Sequence, residues 1–319
     1  MMITFGVRGN QPQRDEPAVK EGKASLTAEL TTAARAAESM RREGRRLCYD
    51  PLAREFLGGP LRMVARSPLL TRFVVWLVEK LAPGVPGEVL SRTQYIDDCL
   101  KARIDDGIEQ LVILGAGYDS RPYRFEELKS RVTVFEVDHA ATQEVKRRRV
   151  QRLLGHLPDG VVFVPIDFEK ERLDAKLFAS GYDRNLKTFF IWEGVSYYLT
   201  ASAVDETLGF VVNNAGPGSS IVFDYAFEKV LEGASEGRQI TRALIAWQRV
   251  AAPLTTAECF VFGIEEGTIE EFLLVRGFSH VVNINHDFFE SAYFRGAKQG
   301  RDVSRICGFV HATVGPHSS

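Results

Sequence analysis

Five short apolar runs follow Gly107, at residues 111–114, 132–137, 161–164, 188–192 and 220–223, and none alternates cleanly between apolar and polar. A strand with one wet face would alternate. A near-continuous run needs burial on both faces, as in a parallel sheet covered by helices on either side. Turn residues and then a helical pattern follow each run, so the expected fold is α/β, a doubly wound, mostly parallel sheet. Two later strand candidates, Phe278–Ile284 and 306–314, are separated by about twenty residues without a strong helical pattern. A parallel crossover normally contains a helix, so this pair is expected to form an antiparallel hairpin.

The first hundred residues follow a different grammar. Residues 1–23 mix Gly, Gln, Pro and charges without apolar periodicity and read as a flexible lead-in. Helix formers fill 25–43, with Ser25 as candidate N-cap. From 52 to 81 apolar residues recur at helical spacing, interrupted by Gly58-Gly59-Pro60 and closed by Pro83-Gly84. A further helix is expected from Ser91, where Ser91 and Gln94 fit a capping box. The expected organisation is a helical lid over 24–107 and an α/β domain over 108–319, carrying a helical insertion at about 227–260.

Composition excludes several classes of function. Forty Lys and Arg stand against 42 Asp and Glu, a net charge of −2, which gives no basic footprint for nucleic acid. The longest apolar run, residues 73–78, falls far short of the roughly 20 residues of a membrane span. No apolar stretch near the start suits a secretory signal. Cys48, Cys99, Cys259 and Cys307 lie far apart with no C-x-x-C pair, so reduced thiols in a cytoplasmic protein are expected, without a disulfide framework. His280, His286 and Asp287 match no metal-ligand spacing, and no metal is expected.

The most informative segment is Leu111-Val112-Ile113-Leu114-Gly115-Ala116-Gly117-Tyr118-Asp119-Ser120-Arg121-Pro122. A buried strand runs into Gly115 and Gly117, where missing side chains let a ligand lie against the backbone at the carboxyl end of the sheet. The third glycine of a dinucleotide fingerprint is absent, and Pro122 delays the following helix, which counts against NAD. The next strand ends at Asp138, about twenty residues on, where an acid can accept from both ribose hydroxyls of an adenosine ligand. The third ends at Asp167-Phe168, an acceptor for an adenine amino group beside a ring to face it. The fourth ends at Trp192-Glu193-Gly194, followed by Tyr197-Tyr198.

In combination these motifs resemble the leucine carboxyl methyltransferase family, and more closely its bacterial branch of S-adenosylmethionine-dependent O-methyltransferases. The residues that carry the resemblance are the 115–121 turn, Glu136-Val137-Asp138, Asp167 and Trp192-Glu193-Gly194. Ser25-Leu26-Thr27-Ala28, Ala34-Arg35-Ala36, Asp50-Pro51-Leu52-Ala53 and Phe262-Gly263-Ile264 extend it over about 25–314. The resemblance implies a class I methyltransferase-like Rossmann fold, S-adenosyl-L-methionine as cofactor and methyl transfer to a small-molecule acceptor, with carboxylates foremost and polyketide-like acids among them. It implies that Gly115 and Gly117 approach the methionine moiety, Asp138 the ribose, and Asp167 with Phe168 the adenine. Arg92 matches an arginine that pairs the cofactor carboxylate, and Glu193 an acid beside the cofactor. Arg35 reads equally well as a cofactor contact or a surface helical arginine, and Asp119 as a contact to the amino group or an Asx-turn.

Tyr197 and Tyr198 are the substrate candidates. A carboxylate acceptor is ionised at neutral pH and needs no general base; His139 and His286 would be the candidates for a phenol, and neither is assigned. The basic run Lys146-Arg147-Arg148-Arg149 with Arg152 reads as a solvated helix face, with an acidic carrier protein as the minority reading. Three other readings stand beside the leading one: a protein C-terminal carboxyl methyltransferase, an NAD-dependent oxidoreductase, and a non-catalytic cofactor-binding protein. The apolar residues Leu69, Phe73, Trp76, Leu244 and Trp247 are expected to be buried where the N-terminal helices and 227–250 close over the strand ends.

Overall fold

The computed structural model describes residues 26–129, 131–231, 260–296 and 301–315. Four helices come first: α1 (Leu26–Ser39), α2 (Gly59–Arg66), α3 (Pro68–Leu81) and α4 (Val85–Asp105). Strands and helices then alternate through β1 (Gln110–Leu114), α5 (Arg121–Arg124), β2 (Thr133–Asp138), α6 (Ala140–Leu154), β3 (Val161–Pro165), α7 (Leu173–Ala179), β4 (Thr188–Trp192), α8 (Ala201–Asn213) and β5 (Ser220–Phe227). A short helix, Glu228–Leu231, follows; then come β6 (Gly263–Ile264), the helix Ile269–Leu274, β7 (Phe278–Ile284), the helix His286–Tyr293 and β8 (Cys307–Val314).

The strands form one sheet in the order β3-β2-β1-β4-β5-β8-β7, with β6 paired to the end of β5. Strands β1 to β5 pair in parallel. Alternate residues of each strand feed two cores. Val112, Leu114, Phe135, Phe190 and Trp192 pack on one face, and Leu111, Ile113, Val134, Phe189 and Ile191 on the other. Phe189, Phe190, Ile191 and Trp192 have no exposed surface, and burying a side chain of that size contributes on the order of 1.5–3 kcal/mol. This two-sided burial is why the runs fail to alternate, and the doubly wound reading holds.

The last two strands pair antiparallel, Ile284 opposite Phe309, as their spacing suggests. Yet β8 does not lie at the edge; it sits between β5 and β7. The connection also holds a helix, His286–Tyr293, capped by the Asn285 side chain accepting from the Phe288 N–H at 2.9 Å.

Proline starts helices in this region, including at Pro60, where the sequence suggests a break. Pro60, Pro68 and Pro86 each stand in the first turn of α2, α3 or α4, where the missing N–H has no helical partner to lose. Helix α4 therefore begins at Val85, and Ser91 is a buried interior residue rather than a cap. Its entry is fixed by Gly84, at φ +80°, whose N–H donates to Glu79 Oε1 at 3.0 Å and whose carbonyl accepts from Ser304 at 3.0 Å.

Helix α3 corrects a second expectation. Leu69, Phe73 and Trp76 are 78, 58 and 55% exposed, so this apolar stripe does not close over the strand ends. Leu244 and Trp247, with most of the expected insertion, and Ser25 and Cys259 lie outside the described residues. Among the described residues no helix is long and apolar enough to cross a membrane, and no group of His, Cys, Asp and Glu could hold a metal ion.

Candidate active site

The carboxyl ends of β1, β2, β3 and β4 open into a cavity of about 270 Å³. Every site residue singled out from the sequence lines it: Arg92, Gly115, Gly117, Asp138, Asp167, Phe168, Glu193, Tyr197 and Tyr198. That convergence follows from the parallel register, which brings successive strand ends to one side of the sheet.

The loop after β1 is shaped by two glycines. Gly115 has φ +67° and Gly117 φ +40°, left-handed values that a side chain disfavours. A Cβ on Gly115 would lie 2.2 Å from Val195 Cγ2, and one on Gly117 would lie 3.1 Å from the Cβ of Ala28 in α1. The loop is thus sandwiched between the β4 end and α1. Its far side is tied by the Val137 carbonyl, which accepts from the Gly115 and Ala116 N–H groups at 2.8 and 3.0 Å. Asp119 forms the Asx-turn, its Oδ1 accepting from the Arg121 N–H at 2.8 Å.

Asp138 accepts from the backbone N–H of Gly117 through one oxygen and of His139 through the other. A carboxylate offers about four lone-pair positions, so capacity for further donors remains. Burial pushes this carboxyl above its ordinary range, while the two N–H groups work the other way. Asp167 sits nearer solvent, its Oδ1 accepting from the Glu169 N–H at 3.1 Å and its Oδ2 3.1 Å from Lys170 Nζ.

Behind the cavity lies a charge network that the sequence reading did not anticipate. Arg92, on α4, donates from Nε to Glu193 Oε1 at 3.0 Å and from Nη1 to Asp224 Oδ2 at 2.5 Å. Its Nη2 makes no hydrogen bond among the described residues, although the Tyr197 phenol is one of the groups that interact electrostatically with this guanidinium. Arg121, with no exposed surface, donates to Asp97 at 2.7 Å, to Asp119 at 2.6 Å, to Glu193 Oε2 at 2.9 Å and to the Thr93 carbonyl at 3.2 Å. Burial opposes the charged form of Glu193, but Arg121 and then Arg92 outweigh it and hold the carboxyl below its usual range. The same contest, won by Arg121, takes Asp119 down to about 2.

Arg35 is not a surface residue. It is buried, donates from Nη2 to the Tyr118 carbonyl at 2.7 Å and stands 3.5 Å from Asp50, so α1 is anchored to the glycine loop. Thr27, Ala28 and Thr31 of the same helix also line the cavity. Tyr197 is buried, its ring 4.7 Å from that of Tyr198 and 4.4 Å from that of Phe260. The Val261 N–H donates to the Tyr197 carbonyl at 2.8 Å, which ties the segment after 259 to the mouth. His139 lines the cavity but caps α6, its Nδ1 accepting from the Ala141 N–H at 3.3 Å. His286 is not part of the cavity wall and pairs with Asp287 at 3.5 Å.

Comparison with known proteins agrees with this geometry. The model of the leucine carboxyl methyltransferase family matches residues 28–212. A Bacillus subtilis protein named "Putative S-adenosyl-L-methionine-dependent methyltransferase YktD" is 31% identical over 223 residues, covering 70% of this chain and 71% of that protein. A Mycolicibacterium smegmatis protein with the same kind of name is 30% identical over 227 residues, covering 70% and 73%. Among solved structures, a DUF574 family protein from Streptomyces avermitilis superposes with a TM-score of 0.57 at 13% identity, over 92% of this chain and 99% of that one. A Thermobifida fusca protein described as a "putative methyltransferase" gives 0.53 at 13% identity, over 94% and 98%. At that identity the likeness is one of fold: the class I methyltransferase-like Rossmann arrangement.

Proposed function

Because the chain belongs to the leucine carboxyl methyltransferase family and is an S-adenosylmethionine-dependent methyltransferase, we propose that it methylates a carboxylate oxygen of a small organic acid. The observation that carries this reading is the cavity itself, where a bare glycine loop, an acid at each of the next two strand ends and an arginine with a spare donor meet. Those groups suit an adenosyl amino acid. Asp138 keeps lone pairs for two ribose hydroxyls; Asp167 and Phe168 offer an acceptor and a ring face to adenine. Gly115 and Gly117 leave room along the loop for the methionine chain, and Arg92 Nη2 is available to its carboxylate. Glu193 and Asp224 hold that arginine in place.

Bound there, the cofactor supplies a methyl group on a sulfonium, an electrophile that needs no further activation. The chain has then to align the acceptor and exclude water. Helix α1 covers the glycine loop, and Tyr197, Tyr198, Val195 and Leu199 give the acceptor side an aromatic and apolar wall. A carboxylate arrives ionised, which agrees with a site where, among the described residues, the lining imidazole is that of His139, engaged as a helix cap. A wall of aromatic and apolar side chains favours a small hydrophobic acid over a protein chain end.

The test is turnover of methyl-labelled S-adenosylmethionine with a panel of aliphatic and aromatic acids and matched phenols, with products identified by mass spectrometry. Methyl esters are the expected products. Label passing only to phenols or amines would overturn the carboxylate assignment. Failure of the protein to bind S-adenosylhomocysteine would overturn the site itself.

A further inference from the structure

The second half of α6 carries Val145, Arg148, Arg149 and Arg152, spaced i, i+3, i+4 and i+7, so all four share one helix face. That face looks onto the start of α2 across a cavity of about 300 Å³, lined by these four residues together with Leu57, Gly58, Gly59 and Arg62. Among the described residues no lining residue is acidic, and none is shared with the cofactor cavity. Four guanidinium groups in one concavity repel one another unless counter-charge is supplied. Three carboxylates supply part of it: Glu29 to Arg149 at 2.7 Å, its Oε1 3.1 Å from where a Cβ on Gly58 would stand, Glu55 to Arg62 at 3.1 Å and Glu144 to Arg148 at 2.9 Å. Arg152 has no carboxylate partner among the described residues.

The opposite wall adds donors of a different kind. Gly58 is the N-cap of α2 and has no side chain to satisfy the first-turn N–H groups of Gly59 and Leu61, Pro60 between them having none, and these carry the positive end of the helix dipole. A side chain at Gly58 would intrude on the cavity, since its Cβ would stand 2.7 Å from Arg149 Nη2. Bare backbone at a helix start, facing several guanidinium forks, fits an anion with several acceptor oxygens better than a single carboxylate.

We propose that this cavity is a second binding site, separate from the cofactor site, for the phosphate group of a phosphomonoester. The phosphate sits between the α6 arginines and the first turn of α2, with Arg152 as its unshared cation. The same chemistry is offered by a soluble ester and by a lipid headgroup.

Calorimetric titration of the full-length protein separates them, using inorganic phosphate, glycerol 1-phosphate, and vesicles of phosphatidic acid against vesicles of phosphatidylcholine, all at constant ionic strength. Saturable binding of the phosphate and the soluble ester is the expected result; binding confined to phosphatidic acid vesicles assigns the phosphate to a headgroup. The double variant Arg148→Ala/Arg152→Ala should bind at least about tenfold more weakly, with melting temperature and S-adenosylhomocysteine affinity unchanged. Gly58→Ala should weaken binding with no change of charge, by displacing Arg149. No binding in any arm, or equal binding by wild type and double variant, reduces the arginines to a solvated helix face and overturns the site.

Discussion

Arg121 orders more of the active site than any residue the sequence marks out. It is wholly buried and bonded to three carboxylates on three segments, Asp97, Asp119 and Glu193. Removing one partner from such a cluster typically costs about 3–5 kcal/mol because the others are left uncompensated. Arg121→Met should lower unfolding stability by that amount in urea titration, and Arg121→Lys should recover only part, since an ammonium cannot span the three positions of the fork. Glu88 presents the reverse case. Burial, opposed by Arg92, pushes its carboxyl up to about 7, and its Oε2 has no hydrogen-bond partner. A carboxyl whose pKa is higher folded than unfolded opposes folding once ionised, so its penalty is absent in acid and grows as pH rises from 4.5 to about 7. The stability difference between wild type and Glu88→Gln should therefore shift in the variant's favour across that window, by on the order of 3 kcal/mol; a flat difference would show that Glu88 ionises normally. The strand-end acids were legible because a parallel sheet delivers each strand end to the same place. The arginine network was not, since Arg92 and Asp224 are 132 residues apart and no local pattern records such a pairing. The one available signal was the position of Arg121 directly after the glycine turn.

Among the elements, the glycine loop makes the sharpest demand on its neighbours. Gly115→Ala would place a methyl group against Val195 while holding an unfavourable backbone angle. It should reduce S-adenosylhomocysteine affinity by at least about tenfold, consistent with a loop strained by roughly 1–3 kcal/mol. Adding Val195→Ala relieves the clash but not the angle, so calorimetry on the double variant should show partial recovery. Full recovery would mean that the left-handed conformation is incidental. The sheet strands were readable from their apolar runs, whereas the helices before Gly107 were misjudged at their boundaries. Gly58-Gly59-Pro60 reads as a break, but Pro60, like Pro68 and Pro86, stands in the first turn of a helix, and only the three-dimensional position of the preceding turn distinguishes the two uses. The apolar stripe of α3 is expected inside because its residues need cover and the strand ends leave a crevice, yet Leu69, Phe73 and Trp76 face outward. Helical periodicity reports that a face is apolar, not what lies against it.

For the whole molecule, the order of strands in space departs from their order in the chain. Strands β1 to β5 each lie beside a strand already synthesised or soon to follow, but β8, the last in sequence, fills the gap between β5 and β7. Its residues Phe309, Val310 and Ala312 are almost wholly buried. On a ribosome the five parallel strands can be laid down with β5 presenting an open edge, and that edge stays unpaired until residues 307–314 emerge. An open edge of buried apolar strands is a template for pairing with another chain. The nascent protein should therefore be most vulnerable to aggregation just before β8 appears. A chain ending at residue 305 should accumulate as insoluble or chaperone-bound material, while one ending at 315 should fold, and sedimentation of the two translation products would separate these outcomes. The sheet is closed by a strand that follows all of its neighbours in sequence, so completion of the core waits on that one segment.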